Sequence, residues 1–145
     1  MSELMKNQKF GVEVEMAGIS RKQAATLIAE YFGTDGIQHR NSYDAWSCKD
    51  RKGRKWSFVS DASIEDDSFA SLASGRRGCE LTTPLLSYED LDDLQEVLKV
   101  LSANGAVANE SCGIHVHVDA SMQDGKSLRR LAKFFVARQD LKIGR

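Results

Sequence analysis

From Asn109 to Asp119 the chain reads Asn-Glu-Ser-Cys-Gly-Ile-His-Val-His-Val-Asp, and the strict alternation after Gly113 is the pattern of an extended strand. Successive side chains of a strand point to opposite faces, so His115, His117 and Asp119 share one face and Ile114, Val116 and Val118 the other. The aliphatic face is expected to turn into the core. The other face carries two imidazoles and a carboxylate, in a chain whose third and last histidine is His39. Neutral imidazoles paired on one face suit a metal ion or a phosphate. The chain must therefore build a sheet that is apolar and covered on one side, polar and open on the other.

The segment Phe10–Met16 repeats this design with acids: Val12, Val14 and Met16 alternate with Glu13 and Glu15. Ser20 and Gln23 open a helix as a capping box, with Ala24, Leu27, Ile28 and Tyr31 on one face and Gly33 as its stop. Tyr43 to Lys49 and Lys55 to Ser60 read as a hairpin around Asp50-Arg51-Lys52-Gly53-Arg54, whose basic residues are taken as a solvated turn rather than a phosphate site. Glu65 to Gly75 has the composition of a mobile loop. Gly78 to Thr83 is a short strand closed by Pro84. Ser87 and Asp90 start a helix with Leu91, Leu94, Leu98 and Leu101 inward, stopped at Asn104-Gly105. A last helix is expected from Lys126 to Leu141, with Leu128, Leu131, Ala132 and Phe135 on one stripe. Half-polar strands joined by amphipathic helices predict an α+β fold: an antiparallel or mixed sheet, helices on its apolar face and an open polar face.

Size and charge narrow the function. The 145 residues fit one domain, and a net charge of −1 gives no electrostatic case for nucleic acid or an anionic membrane. No apolar run approaches a membrane span, and the first residues lack a signal-peptide core. Cys48, Cys79 and Cys112 are odd in number without CxxC spacing, so reduced thiols and a cytoplasmic location are expected.

The candidate site gathers Glu13 and Glu15 from one strand, Asp61 from a strand end, Glu80 from a third segment, and His115 with His117. Carboxylates so placed repel one another unless cations sit between them. Mostly oxygen ligands with one or two imidazoles suit Mg²⁺ or Mn²⁺ better than zinc. The chain has neither GxxxxGK[ST] nor GxGxxG, so a nucleotide would be held through metal and basic side chains. Cys112, three residues before His115, is read as a small buried hydrophobe and not as a nucleophile.

Four segments in order, Phe10-Gly-Val-Glu-Val-Glu15, Asp61-Ala-Ser63, Gly78-Cys-Glu-Leu-Thr-Thr-Pro84 and Asn109-Glu-Ser-Cys-Gly-Ile-His-Val-His117, resemble the amidoligase family over nearly the whole chain. That family belongs to the carboxylate–amine ligase superfamily with glutamine synthetase and glutamate–cysteine ligase. The resemblance implies the N-terminal portion of a glutamine synthetase-like catalytic fold and ATP-dependent amide formation through an acyl phosphate, with ATP and Mg (or Mn) as cofactors. It implies Glu13 on one metal ion and Glu15 on another, Glu80 and His115 as further ligands, and Asp61 at a recurring acidic position. His117 would face the nucleotide phosphates, with Asn109, Arg76 and Arg77 on the cofactor side. Substrates would be a small-molecule or peptide carboxylate and an amine. Family members generally continue past the last helix, so residues 1–145 are expected to form a single amidoligase-like domain incomplete at its C-terminus. Arg40, Arg54, Arg76 and Arg77 would then stand in for later phosphate-gripping arginines, or the chain would complete its site as a homo-oligomer. Two other functions fit parts of the pattern: a non-catalytic nucleotide- or metal-binding module of the same fold, and a zinc metallohydrolase built on His115, His117 and a carboxylate.

Overall fold

The computed structural model describes residues 6–40, 44–67, 78–121 and 123–138. In chain order these form β1 (Phe10–Met16), α1 (Arg21–Phe32), β2 (Gln38–Arg40), β3 (Ala45–Lys49), β4 (Lys55–Val59), β5 (Cys79–Thr82), α2 (Leu91–Ala103), β6 (Ile114–Val118) and α3 (Gly125–Val136). All strand pairings are antiparallel, in the order β2-β3-β4-β5-β1-β6. The first strand of the sequence thus lies between β5 and β6, where it joins the segments that carry the site residues. Its position is set by register: Glu15 pairs with Glu80 and Glu13 with His115.

The helices begin and end where side-chain chemistry stops or starts the backbone ladder. The Ser20 hydroxyl accepts from the Gln23 N–H, and Gly33 closes α1 at φ 64°, a left-handed conformation that costs glycine little. A 3₁₀ turn at Tyr88–Asp90 leads into α2, with the Asp90 carboxylate accepting from the Ser87 N–H. Helix α1 packs on β3 and β4 and against α2. Between helices and sheet lie Ile28, Phe32, Trp56, Phe58, Leu81, Val97 and Leu101, all buried, each large apolar side chain contributing about 1.5–3 kcal/mol by leaving water. Arg21, 1% exposed, ties α1 to β5 by donating to the Gly78 carbonyl and to Asp44.

The hairpin turn between β3 and β4 is solvated, as read in the sequence, with Arg51, Lys52 and Gly53 exposed, but its basic side chains are paired. Arg54 donates to both Asp50 and Asp90, Lys52 reaches Asp90 at 2.7 Å, and Arg51 pairs with Asp93 on α2. Trp56 Nε1 adds a bond to Asp50. The turn is a clasp that fastens the hairpin to α2, and Arg54 is not free to grip phosphate.

The C-terminal elements also depart from expectation. Ile114, Val116 and Val118 do not enter the core: they are 66%, 60% and 58% exposed. Helices α1 and α2 cover β1 and β3–β5, and β6 forms the sheet edge beyond that cover. Helix α3 buries none of its residues and ends at Val136, so its apolar stripe, Leu128, Leu131 and Phe135 included, faces solvent. The expected end at Leu141, the start of β3 at Tyr43 and most of the Glu65–Gly75 loop lie outside the described residues.

Candidate metal centre and active site

The open face of the sheet is set by alternation. Val12 and Met16 are buried, so Glu13 and Glu15 project to the other side. On β5, Cys79 and Leu81 are buried, which turns Glu80 and Thr82 the same way. Asp61, two residues past the end of β4, completes the group. Glu15, Asp61 and Glu80 each place a carboxylate oxygen within 4.8 Å of the other two. An octahedral cation of the Mg²⁺ class holds oxygens at about 2.0–2.1 Å, so its ligands lie about 3–4 Å apart. The three acids are close to that spacing before any closure around an ion.

Charge shows the same need. Burial, then the charges of Glu13, Asp61 and Glu15, push the Glu80 carboxyl above its ordinary value. Among the described residues no lysine or arginine pairs with Glu15, Asp61 or Glu80. Carboxylates this close repel one another, and a divalent cation between them would remove that repulsion. The donor set is all oxygen, which fits Mg²⁺ or Mn²⁺.

The imidazoles form the adjoining half. His115 Nδ1 and His117 Nε2 both lie 3.2 Å from the same Glu13 oxygen. These two hydrogen bonds, His117 first, hold the Glu13 carboxyl below its usual range. An ionised carboxylate only accepts, so each neutral imidazole donates from the nitrogen that touches it. That assigns the lone pair to Nε2 of His115 and to Nδ1 of His117. A carboxylate behind a histidine in this way is the common support of a metal-binding imidazole. His115 Nε2 lies beside Glu15: a Cβ built on Gly113 would sit 3.7 Å from His115 Nε2 and 3.4 Å from Glu15 Oε2. Gly113 leaves that gap open and donates its N–H to Glu15 Oε2 at 2.7 Å.

Two supports were not legible as site residues. Gly113 is one. The other is Gly78, at φ 66°, where a Cβ would lie 2.5 Å from the Ile64 side chain. Ile64 is fully buried against it, which sets the Asp61–Ile64 turn beside β5 and brings Asp61 to Glu80. An isolated glycine before a strand carries this signal only weakly.

Asn109 lies in the loop before β6, fastening it. Its Nδ2 donates to the Glu65 carbonyl at 2.6 Å and its Oδ1 accepts from Ser111, while Ser111 Oγ receives the Glu65 N–H. Cys112 belongs to this turn and not to the strand; it is partly exposed, with Sγ 3.4 Å from Asn109 Oδ1. Burial pushes the Cys48 and Cys79 thiols up to about 12, so neither is a nucleophile. His39 pairs with Asp44 and stacks on Trp46, far along the sheet at β2. Arg76 and Arg77 lie outside the described residues. A groove of about 600 Å³ leads from Glu13 and His117 over Gly11 to Thr83, Pro84 and Leu85.

A family model described as "Putative amidoligase enzyme" matches residues 6–142. The chain belongs to this amidoligase family. The match spans all four segments that suggested it, from the Glu13–Glu15 strand to the His115–His117 strand. No curated protein and no solved structure matches the chain. No helix among its described residues is long and apolar enough to cross a membrane.

Proposed function

We propose that this member of the amidoligase family is an ATP- and Mg²⁺-dependent carboxylate–amine ligase. The observation that carries the reading is the meeting of Glu15, Asp61 and Glu80 beside the Glu13-supported imidazoles. Divalent cations bound there would supply charge neutralisation for the transferring phosphoryl group. Glu15, Asp61 and Glu80 would hold them, with His115 Nε2 the nitrogen ligand nearest to Glu15. Glu13 orients both imidazoles, and His117 stands at the mouth of the groove that runs to Pro84 and Leu85. That groove offers apolar surface for a nucleotide's base while its phosphates reach the carboxylates.

In the first step a substrate carboxylate oxygen attacks the γ-phosphorus and the bond to ADP breaks, giving an acyl phosphate. In the second, an amine nitrogen attacks the acyl carbon and inorganic phosphate leaves, the amine giving up a proton. The lone pair left on His117 Nδ1 is the available acceptor for that proton on this face.

The test is calorimetric titration of Mg²⁺ with a non-hydrolysable ATP analogue, in the wild type and in a Glu15→Gln, Glu80→Gln double variant. Binding that requires Mg²⁺ and disappears in the variant is expected. Equal binding in both, or none in the wild type, overturns the reading. Hydroxylamine added with ATP and a carboxylate panel would trap the acyl phosphate as a hydroxamate. Nucleotide binding without any hydroxamate would favour a binding module of the same fold.

A further inference from the structure

Past the carboxylate cluster the same open face continues over β4, β3 and β2, and its chemistry reverses. Thr82 pairs with both Glu13 and Ser57, and Ser57 with Ser47, so these residues share one face. On that face Lys49 stands directly opposite Lys55, and Arg40 opposite Ala45. A pocket of about 380 Å³ is bounded by Arg40, Ser47, Lys55, Ser57 and Ser60. Its near end touches the cluster: Ser60 directly precedes Asp61, and Val59 pairs with Glu80.

Two features distinguish this patch from an ordinary basic surface. Among the described residues, the side chains of Arg40, Lys49 and Lys55 make no ion pair or hydrogen bond, and the hydroxyls of Ser47, Ser57 and Ser60 have no partner. The basic residues of the neighbouring turn, Arg51, Lys52 and Arg54, are all paired. Lysines directly across an antiparallel pair also repel, by about 0.2–1 kcal/mol. Arg40 and Lys55 bring unmatched positive charge, and Ser47, Ser57 and Ser60 unmatched donors, to one cavity, with Lys49 beside it and unmatched negative charge on the next strands.

We propose that this pocket binds a second, non-reacting carboxylate of the acid substrate, a proposal that rests on the ligase reading of the adjoining cluster. The nucleotide's phosphates belong at the carboxylates through the metal ions, which leaves this pocket to the other anion of the reaction. Strands lie about 4.8 Å apart, so the pocket over β3 and β4 is about 10 Å from the cluster over β5 and β1. The substrate is therefore an acid with a second carboxylate about that far from the reacting one, the span of a short peptide. Lys55 supplies charge, Arg40 a planar fork, and Ser47 and Ser57 hydroxyl donors.

The experiment uses the full chain with Mg²⁺ and three probes: a non-hydrolysable ATP analogue, α,ω-dicarboxylates from glutarate to sebacate, and sebacate monomethyl ester. The wild type should bind the longer dicarboxylates about tenfold more tightly than the monoester. An Arg40→Ala, Lys55→Ala variant should lose that preference and keep its affinity for the nucleotide analogue, while Lys55→Arg keeps both. Both replaced side chains are exposed and unpaired among the described residues, so the variant should fold, which melting curves check. A wild type that does not discriminate, or a double variant that still does, overturns the proposal. So does a double variant that loses nucleotide affinity instead, since the pocket would then hold phosphate. A wild type that binds no nucleotide yet prefers dicarboxylates through Arg40 and Lys55 removes the ligase reading and leaves the anion pocket standing.

Discussion

Two groups of acids in this chain use the same side chains to opposite ends. In the clasp, Asp50 and Asp90 are buried at 4% and 1% exposure, and every oxygen meets a donor from Arg54, Lys52, Trp56 or the backbone. On the open face Glu15, Asp61 and Glu80 are more exposed, yet they face one another with no cationic side chain among the described residues between them. The clasp holds its carboxyls below their ordinary range: hydrogen bonds from Arg54 lead for Asp90, while those from Arg54 and Trp56 overcome the effect of burial at Asp50. In the other group Glu80 is raised. The compensated acids fasten the hairpin to α2; the uncompensated ones carry charge that the described residues leave unneutralised.

The largest effect expected is at the clasp. Asp90→Ala removes the buried carboxylate that accepts from Lys52, Arg54 and Ser87, and a hydrogen bond to a charged group contributes about 1.5–3 kcal/mol. Urea unfolding should show that loss. Glu80→Gln should cost nothing in the same assay, and in the absence of metal it should stabilise by removing like-charge repulsion. An equal loss in both would erase the distinction between the two groups. Next in size is the response to metal. Saturating Mg²⁺ should raise the wild-type melting temperature, with about 2.7 kcal/mol available at a hundredfold excess over Kd. The Glu15→Gln, Glu80→Gln variant should not respond.

The pH dependence should carry opposite signs. Asp50 and Asp90 are lowered on folding, so their contribution is complete above the ordinary carboxylate range and is lost as pH falls through their folded values. Glu80 is raised, so its contribution is present below that range and is lost as pH rises through its folded value. The stabilisation from Glu80→Gln should therefore be largest at neutral pH and vanish below about pH 4. Melting temperatures of wild type and variant across that range check the sign; a gap that widens on acidification would contradict the geometry.

Much of this contrast could be read from residue order, and the rest had physical reasons to stay hidden. Period-two alternation at Val12–Met16 and Ile114–Val118 sorts acids and imidazoles to one face, because a strand admits no other arrangement. The same alternation misleads at Ile114, Val116 and Val118, since whether an apolar face is covered depends on where α1 and α2 end, and no local pattern encodes that. The pairing of Arg51, Lys52 and Arg54 stays hidden because their partners Asp90 and Asp93 lie more than thirty residues on. The basic half of the open face was missed for a similar reason: Arg40, Lys49 and Lys55 are scattered in sequence and meet only through the register of β2, β3 and β4.

The smallest effect expected is also the one that most directly probes the open group. Gly113 separates Glu15 Oε2 from His115 Nε2, and an added Cβ would stand in ordinary van der Waals contact with both, without a clash. Gly113→Ala should therefore leave stability nearly unchanged and keep the backbone N–H that Glu15 accepts. A methyl group in that gap removes room for a water or cation between the two ligand atoms, so Mg²⁺ affinity should fall a few-fold. Gly113→Val, which fills the gap further, should fall more. If both variants bind Mg²⁺ as the wild type does, His115 is not a ligand and the cation rests on Glu15, Asp61 and Glu80 alone. The imidazoles would then serve only the groove beyond Glu13, and the two halves of the site would separate as cleanly as the clasp separates from both.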